Sequence, residues 1–454
     1  MTRRNFLSVA AASAVQARSA APPNVVLIVC DDLGYGDLGC YGGSLRTPHL
    51  DRMGSEGVRF TQFYSANPVC SPSRAALMTG RYPTRAGVPR VLFPKDTTGL
   101  AQDETTIAQV LKRRGYRSMC VGKWHLGHLP QFLPTARGFD GYFGIPYSND
   151  MEPPVLLRDT EVAEPRARMD RITGQYTAEA VRFIESAKDS PFFLYMPHTM
   201  PHIPLGASER FRGKSGRGLY GDVVAEIDWS VGEVLAALKR HELDSNTLVL
   251  FSSDNGPWYE GSPGRLRGRK GSTYEGGVRV PFIAKMPGRI PAGRVARQVG
   301  SLMDVMPTVA RLAGAEFPSK PVDGIDLWPV LTGTGKPAHR GGLLYFDDTH
   351  LQCIRHDRWK LHVARYTGAA YSPSPQGARR NLPLAAPELY DIENDSDESY
   401  DVSPEHPKIV RDLYARAERL LADFPENIRK DWEDTKAKAV VPAAIGAHPR
   451  AADK

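Results

Sequence analysis

Short, nearly unbroken apolar runs punctuate the chain: NVVLIVC (24–30), PFFLYMP (191–197), NTLVLFSSD (246–254) and VPFIAK (280–285). Each is bounded by turn-forming residues, the pattern of strands buried on both faces. Between them apolar positions recur at three and four, in YTAEAVRFIESAK (176–188) and GDVVAEIDWSVGEVLAALKRH (221–241), which predicts amphipathic helices. TIAQVLKRRG (106–115) is a further helix closed by a glycine suited to a C-cap. Strand and helix alternating in this way predict an α/β sandwich around a large, mostly parallel sheet.

Near residue 340 the period changes. GGLLYFDD and QCIRHDRWKLHVAR alternate in twos, predicting a small antiparallel sheet, and a helical pattern follows over 407–424. The expected organisation is therefore a main domain over 22–340, a C-terminal sheet-plus-helix subdomain over 341–424 and a loose tail over 425–454, where periodicity fades. No internal repeat is visible. Residues 1–21 read as a cleavable export signal: Arg3-Arg4 followed by Asn5, Phe6 and Leu7 resembles a twin-arginine signal, with a short apolar stretch and small residues behind it. No run is long enough to span a membrane. The expected location is periplasmic or extracellular, reached through export machinery.

Composition narrows the function. Apolar residues at 41% and charged residues at 24% are ordinary for a globular protein. The net charge of +7 is spread without a basic run, which speaks against nucleic acid and for a small anionic substrate or a polyanion. Five cysteines (30, 40, 70, 120, 353) form no CxxC pair and no cluster with histidine, so a zinc or redox site is not expected and at least one thiol is left over.

In open α/β sheets ligands gather beyond the carboxyl ends of strands. Asp31-Asp32, Lys123 and His125, His198 and His202, and Asp254-Asn255 all follow apolar runs. Taken singly, a helix cap or an Asn-Gly turn explains the acidic pairs equally well. Together they converge: three aspartates and an asparagine offer only oxygen ligands, which suit Ca²⁺, with Mg²⁺ second. Packed carboxylates would repel one another without a cation. In NPVCSPSRAALMTGRYP (67–83), Pro72 and Gly80 suit the start and end of a short helix. Cys70 then lies at its positive end with Arg74 one turn on, an arrangement that attracts an anionic oxygen; a buried free cysteine is the rival reading.

CSPSRAALMTGR carries the Cys-x-Pro-x-Arg signature, and CDDLGYGDLGCYGG (30–43), GKWHLG (122–127), PHTMPHIP (197–204), SSDNG (252–256) and RKGSTYEGGVRVP (269–281) follow in family order. On these blocks the chain, from 24 to 424, resembles the formylglycine-dependent (type I) sulfatases. GIPYSND (144–150) brings it nearest to their arylsulfatase A and N-acetylgalactosamine-6-sulfatase branch. The resemblance implies an alkaline-phosphatase-like fold and hydrolysis of sulfate monoesters, with sulfated carbohydrate as the expected substrate. It implies that Cys70 is converted to formylglycine (3-oxoalanine) by a formylglycine-generating enzyme. Residue 70, Asp31, Asp32, Asp254 and Asn255 would bind Ca²⁺, and Arg74 would hold the modified residue. Lys123 and Lys270 would grip sulfate, with Ser148 touching it. His125 would act as base on residue 70, and His202 with Lys270 would assist the leaving oxygen. Asn149 stands where arylsulfatase A relatives tend to carry histidine, and His198 receives no role. Two rivals are a phosphate or phosphonate monoester hydrolase on the same scaffold and a non-catalytic sulfated-glycan binding protein with unmodified Cys70.

Overall fold

The apolar runs occupy the middle of a ten-stranded sheet in the computed structural model, which describes residues 22–338, 340–366 and 380–439. The expected export signal, 1–21, lies outside the described residues. Strands Thr247–Ser253, Asn24–Cys30, Phe192–Pro197, Arg117–Val121 and Gly141–Gly144 lie side by side in that order, all parallel. Along Asn24–Cys30 the side chains alternate between two cores: Val25, Leu27 and Val29 face one, while Val26, Ile28 and Cys30 face the other. Burial on both faces is why these runs lack polar interruption. Helices Cys70–Thr79, Ile107–Lys112 and Val305–Leu312 cover one face; Pro48–Glu56, Met169–Ala187 and Gly218–Arg240 cover the other.

Phe282–Lys285 differs from its parallel neighbours: it pairs antiparallel with both Thr247–Ser253 and Val58–Phe60. Between residues 253 and 282 the chain forms only one four-residue helix, Glu275–Val278. Lacking a crossover helix, it stays at the carboxyl end of the sheet and re-enters from there. That detour builds the loop system carrying Asn255 and Lys270.

A separate four-stranded antiparallel sheet, Leu343–Asp347, His350–His356, Trp359–Tyr366 and Asn381–Asp391, follows in meander order. Helix Pro407–Leu421 packs on it, and a third core joins both to Tyr64, Ala76, Tyr82, Val278 and Met303 of the main body. The expected loose tail begins differently: Glu426–Lys438 is a helix. Ile428, Trp432 and Thr435 form its buried stripe, and the Trp432 ring lies 5.3 Å from that of Tyr414. Three buried positions on an otherwise charged helix give a periodic signal too weak to stand out. Residues 440–454 of that tail lie outside the described residues. Among the described residues no helix is long and apolar enough to cross a membrane, and all five cysteines are free thiols.

Candidate active site

The acidic cluster follows from strand pairing. Asn24–Cys30 and Thr247–Ser253 run parallel with Cys30 opposite Ser253, so Asp31-Asp32 and Asp254-Asn255 leave the sheet side by side although more than two hundred residues separate them. The Ser253 hydroxyl accepts from the Leu33 amide at 3.0 Å, and the Asp32 amide faces Asp254 Oδ1 at 3.3 Å, tying the two turns together. Asp32 adopts φ +65°, a conformation tolerated best by glycine, asparagine and aspartate. Gly256 packs so tightly that a Cβ there would sit 2.0 Å from the Gly276 carbonyl oxygen.

Three cations close on the carboxylates. Arg74, wholly buried on helix Cys70–Thr79, donates from Nε to Asp254 Oδ2 at 2.9 Å, places Nη2 2.7 Å from the same oxygen and donates from Nη1 to the Lys123 carbonyl at 2.8 Å. Lys123 Nζ donates to Asp31 Oδ2 at 2.5 Å and to Ser148 Oγ at 3.0 Å. It reaches them because Gly122, at φ +135°, lets the chain turn against the neighbouring strand; a Cβ there would lie 1.8 Å from the Pro197 oxygen. Lys270 Nζ donates to Asp32 Oδ2 at 2.8 Å. His202 Nε2 lies 3.6 Å from that oxygen while its Nδ1 bonds the Ile203 carbonyl at 2.6 Å.

Ligand-type atoms of Asp31, Asp32, Cys70 and His202 all lie within 4.8 Å of one another, and all four residues are buried. Asp254 is not among these four; Arg74 occupies its Oδ2. Asn255 donates from Nδ2 to Asp32 Oδ1 at 2.7 Å, leaving its own Oδ1 buried without a hydrogen bond, as is Asp31 Oδ1. Open oxygen lone pairs beside three carboxylates fit a hard cation.

Electrostatics agree with that fit. Burial raises the Asp31 pKa, but Lys123, His202, Arg74 and Lys270 outweigh it and hold the carboxyl far below the usual range. Burial and then the nearby Asp31 charge push Asp254 up to about 7, so an added cation would favour its ionised form. Burial pushes the Cys70 thiol up to about 11 against the pull of Lys123 and Lys270. An unmodified Cys70 is therefore a protonated thiol at neutral pH and a weak nucleophile.

His125 Nε2 meets the Leu92 carbonyl at 2.8 Å, which fixes the proton there, and Nδ1 is left buried and open; burial lowers its pKa well below the ordinary value. His198 shares the block with His202 but both its ring nitrogens are buried without a hydrogen bond. Two contributors are invisible from residue type alone. Ser73 donates to the Asp254 carbonyl at 2.5 Å. Asn149 donates from Nδ2 to the carbonyls of His202 at 2.8 Å and Pro204 at 3.3 Å, so it props the loop that carries His202. A signal existed for Asn149, since it departs from the family pattern beside Ser148, but nothing local named its partner.

Comparison with known proteins decides the family. Residues 23–315 match the sulfatase family model and residues 338–444 match that of the C-terminal region of aryl-sulfatase. The chain belongs to the sulfatases, hydrolases of sulfuric esters. It is 42% identical over 400 residues to N-acetylgalactosamine-6-sulfatase of Canis lupus familiaris, covering 81% of this chain and 76% of that protein. It is 40% identical over 444 residues to arylsulfatase A of Homo sapiens, covering 88% and 86%. The solved structure of Ps i-CgsB in complex with k-i-k-neocarrahexaose superposes with a TM-score of 0.75 at 30% identity, covering 91% of this chain and 98% of that one.

Proposed function

We propose that this sulfatase acts on a sulfated saccharide and uses residue 70 as formylglycine with a bound Ca²⁺ or Mg²⁺. The observation that carries the reading is the protonated, buried Cys70 thiol set against an oxygen-rich cluster with open lone pairs. A thiol so placed is a weak reagent, whereas hydrated formylglycine supplies two hydroxyls on one carbon, one to attack sulfur and one to permit elimination of sulfate. Asp31, Asp32, Asp254, Asn255 and residue 70 would hold the cation, which would supply Lewis-acid stabilisation of developing negative charge. His202 lies close enough to the same cluster to be a further ligand in place of a purely leaving-group role.

The remaining chemistry belongs to side chains already in position. Arg74 holds Asp254 and orients the Lys123 carbonyl. Lys123, Ser148 and Lys270 present fixed donors to the sulfate oxygens, where preorganised charge contributes most. His125, with its proton on Nε2, keeps Nδ1 free to accept a proton from residue 70. His202, its proton on Nδ1 against the Ile203 carbonyl, turns the Nε2 lone pair toward the cluster, and Lys270 beside it is the group able to donate to the leaving oxygen. The names of the relatives, and the sugar in the Ps i-CgsB complex, support a carbohydrate substrate. Arg3-Arg4 supports export of the folded, already modified protein; replacing both by lysine is expected to retain active enzyme in the cytoplasm.

The deciding experiment pairs mass spectrometry of the peptide containing residue 70 with burst kinetics of Cys70→Ser. An aldehyde at 70 is expected in the wild-type protein. The serine variant is expected to release at most one equivalent of alcohol and to stop as a serine sulfate ester. An unmodified thiol in fully active enzyme, or repeated turnover by the serine variant, would refute the reading.

A further inference from the structure

A cleft of about 540 Å³ opens beside the reaction centre, between the loop system 258–274 and strand Trp359–Tyr366 of the C-terminal sheet. Lys270 belongs to both: it lines the cleft, and its Nζ bonds Asp32 in the centre. The wall is unusual in composition. Trp258, Tyr259 and Tyr274 supply aromatic faces, Arg269, Lys270 and Arg365 supply positive charge, and among the described residues no carboxylate lines it.

The charges are not all spent within the fold. Arg269 donates to the neutral carbonyls of Trp258 and Gly261 and lies 5.7 Å from the Tyr259 ring centroid; its charge opposes the rise that burial gives the Asp37 pKa, but the two form no ion pair. Arg365 is paired with Glu388, which orders it and cancels part of its charge. Tyr259 is 65% exposed, an apolar ring held in water at the mouth of the cleft with no core to fill. An exposed aromatic face beside cations only partly compensated suits a ligand with apolar ring faces and anionic substituents.

We propose that this cleft is a second subsite, binding a neighbouring sulfated or carboxylated sugar residue of an oligosaccharide whose scissile sulfate sits at residue 70. Tyr259 stacks on the sugar face; Arg269 and Arg365 meet the anionic substituent. The inference rests on the sulfatase reading above and adds that the substrate is longer than one sugar. It also gives the C-terminal sheet a part in substrate selection, through Arg365.

Tyr259→Ala removes the platform and Tyr259→Glu places a carboxylate in the mouth; both alter an exposed side chain, so folding is expected to survive. The probes are 4-nitrophenyl sulfate and size-defined chondroitin, heparan and carrageenan oligosaccharides from disaccharide to hexasaccharide, followed by sulfate release and by competitive inhibition of the aryl substrate. The wild-type protein is expected to favour, within one series, chains longer than the disaccharide. Tyr259→Ala should raise KM or Ki for those chains about three- to tenfold, and Tyr259→Glu more, while kcat/KM for 4-nitrophenyl sulfate stays within about twofold. Equal response to all lengths in the wild type, or unchanged KM and Ki in both variants alongside normal aryl sulfate turnover, overturns the subsite and leaves the sulfatase reading intact. Absence of sulfate release from every probe overturns both.

Discussion

Two clusters of buried charge, one at residue 70 and one at the joint with the C-terminal sheet, are finished differently. The one at residue 70 leaves Asp31 Oδ1, Asn255 Oδ1 and His125 Nδ1 buried without hydrogen bonds. The other joins the main body to the C-terminal sheet. There Lys360 Nζ meets Glu275 Oε1 at 3.0 Å and Glu398 Oε1 at 3.2 Å, and His362 Nε2 meets Glu398 Oε1 at 2.7 Å. Glu398 Oε2 accepts the Glu275 amide at 2.6 Å, and Glu275 Oε2 accepts from the Tyr64 hydroxyl at 2.8 Å. Every carboxylate oxygen of that second cluster has a partner within the protein. Since an unpaired buried polar atom costs stability, the complete network acts as a structural joint, whereas the open oxygens beside three carboxylates leave room for a ligand.

The largest effect that would break this contrast is on turnover. Asp254→Ala strips Arg74 of its partner and removes a carboxylate from the cluster; kcat is expected to fall below detection, with loss of bound Ca²⁺ measured by metal analysis. Full activity in a verified metal-free preparation would sink the contrast altogether. Lys360→Ala attacks the complete network and should act on stability, by about 3–5 kcal/mol in denaturant unfolding, because it removes the buried cation that two buried glutamates share. Enzyme that remains folded should keep its kcat for an aryl sulfate.

His198 belongs to neither cluster and sharpens the distinction through pH. Burial alone lowers its pKa to about 4, against about 6.5 when unfolded. The unfolded chain binds the extra proton between those values, so stability should decline as pH falls from about 6.5 to about 4 and level off below, by up to about 3 kcal/mol from this group. His198→Phe should flatten that part of the profile. The smallest expected effect is at Asn149: Asn149→Ala removes two hydrogen bonds to the His202 loop, costing about 1–2 kcal/mol. Its activity loss should exceed that of an exposed control such as Tyr400→Ala, read from kcat/KM.

Much of this was legible from residue pattern. The strand at 24–30 and the short helix closed by Gly80 were readable because burial on both faces and capping chemistry are local constraints. The acidic pairs could be recognised as candidates because polar residues directly after buried strands have few structural reasons to be there. Less legible were features whose cause lies elsewhere in the chain. Phe282–Lys285 reads like its parallel neighbours, yet the missing crossover helix reverses it. Helix 426–438 has too narrow a stripe to announce itself until Tyr414 gives Trp432 something to cover.

By itself, then, the sequence determined the fold class, the order of the family blocks and the residue types able to hold a cation and a sulfate, since each depends on neighbours within a few positions. Only the tertiary structure decided which of those residues meet. Pairing of Cys30 with Ser253 set the two acidic turns together, the close approach at Gly122 aimed Lys123, and Asn149 came to hold the His202 loop. Those are contacts between distant segments, and their geometry exists only once two strands, or a loop and a sheet edge, have packed.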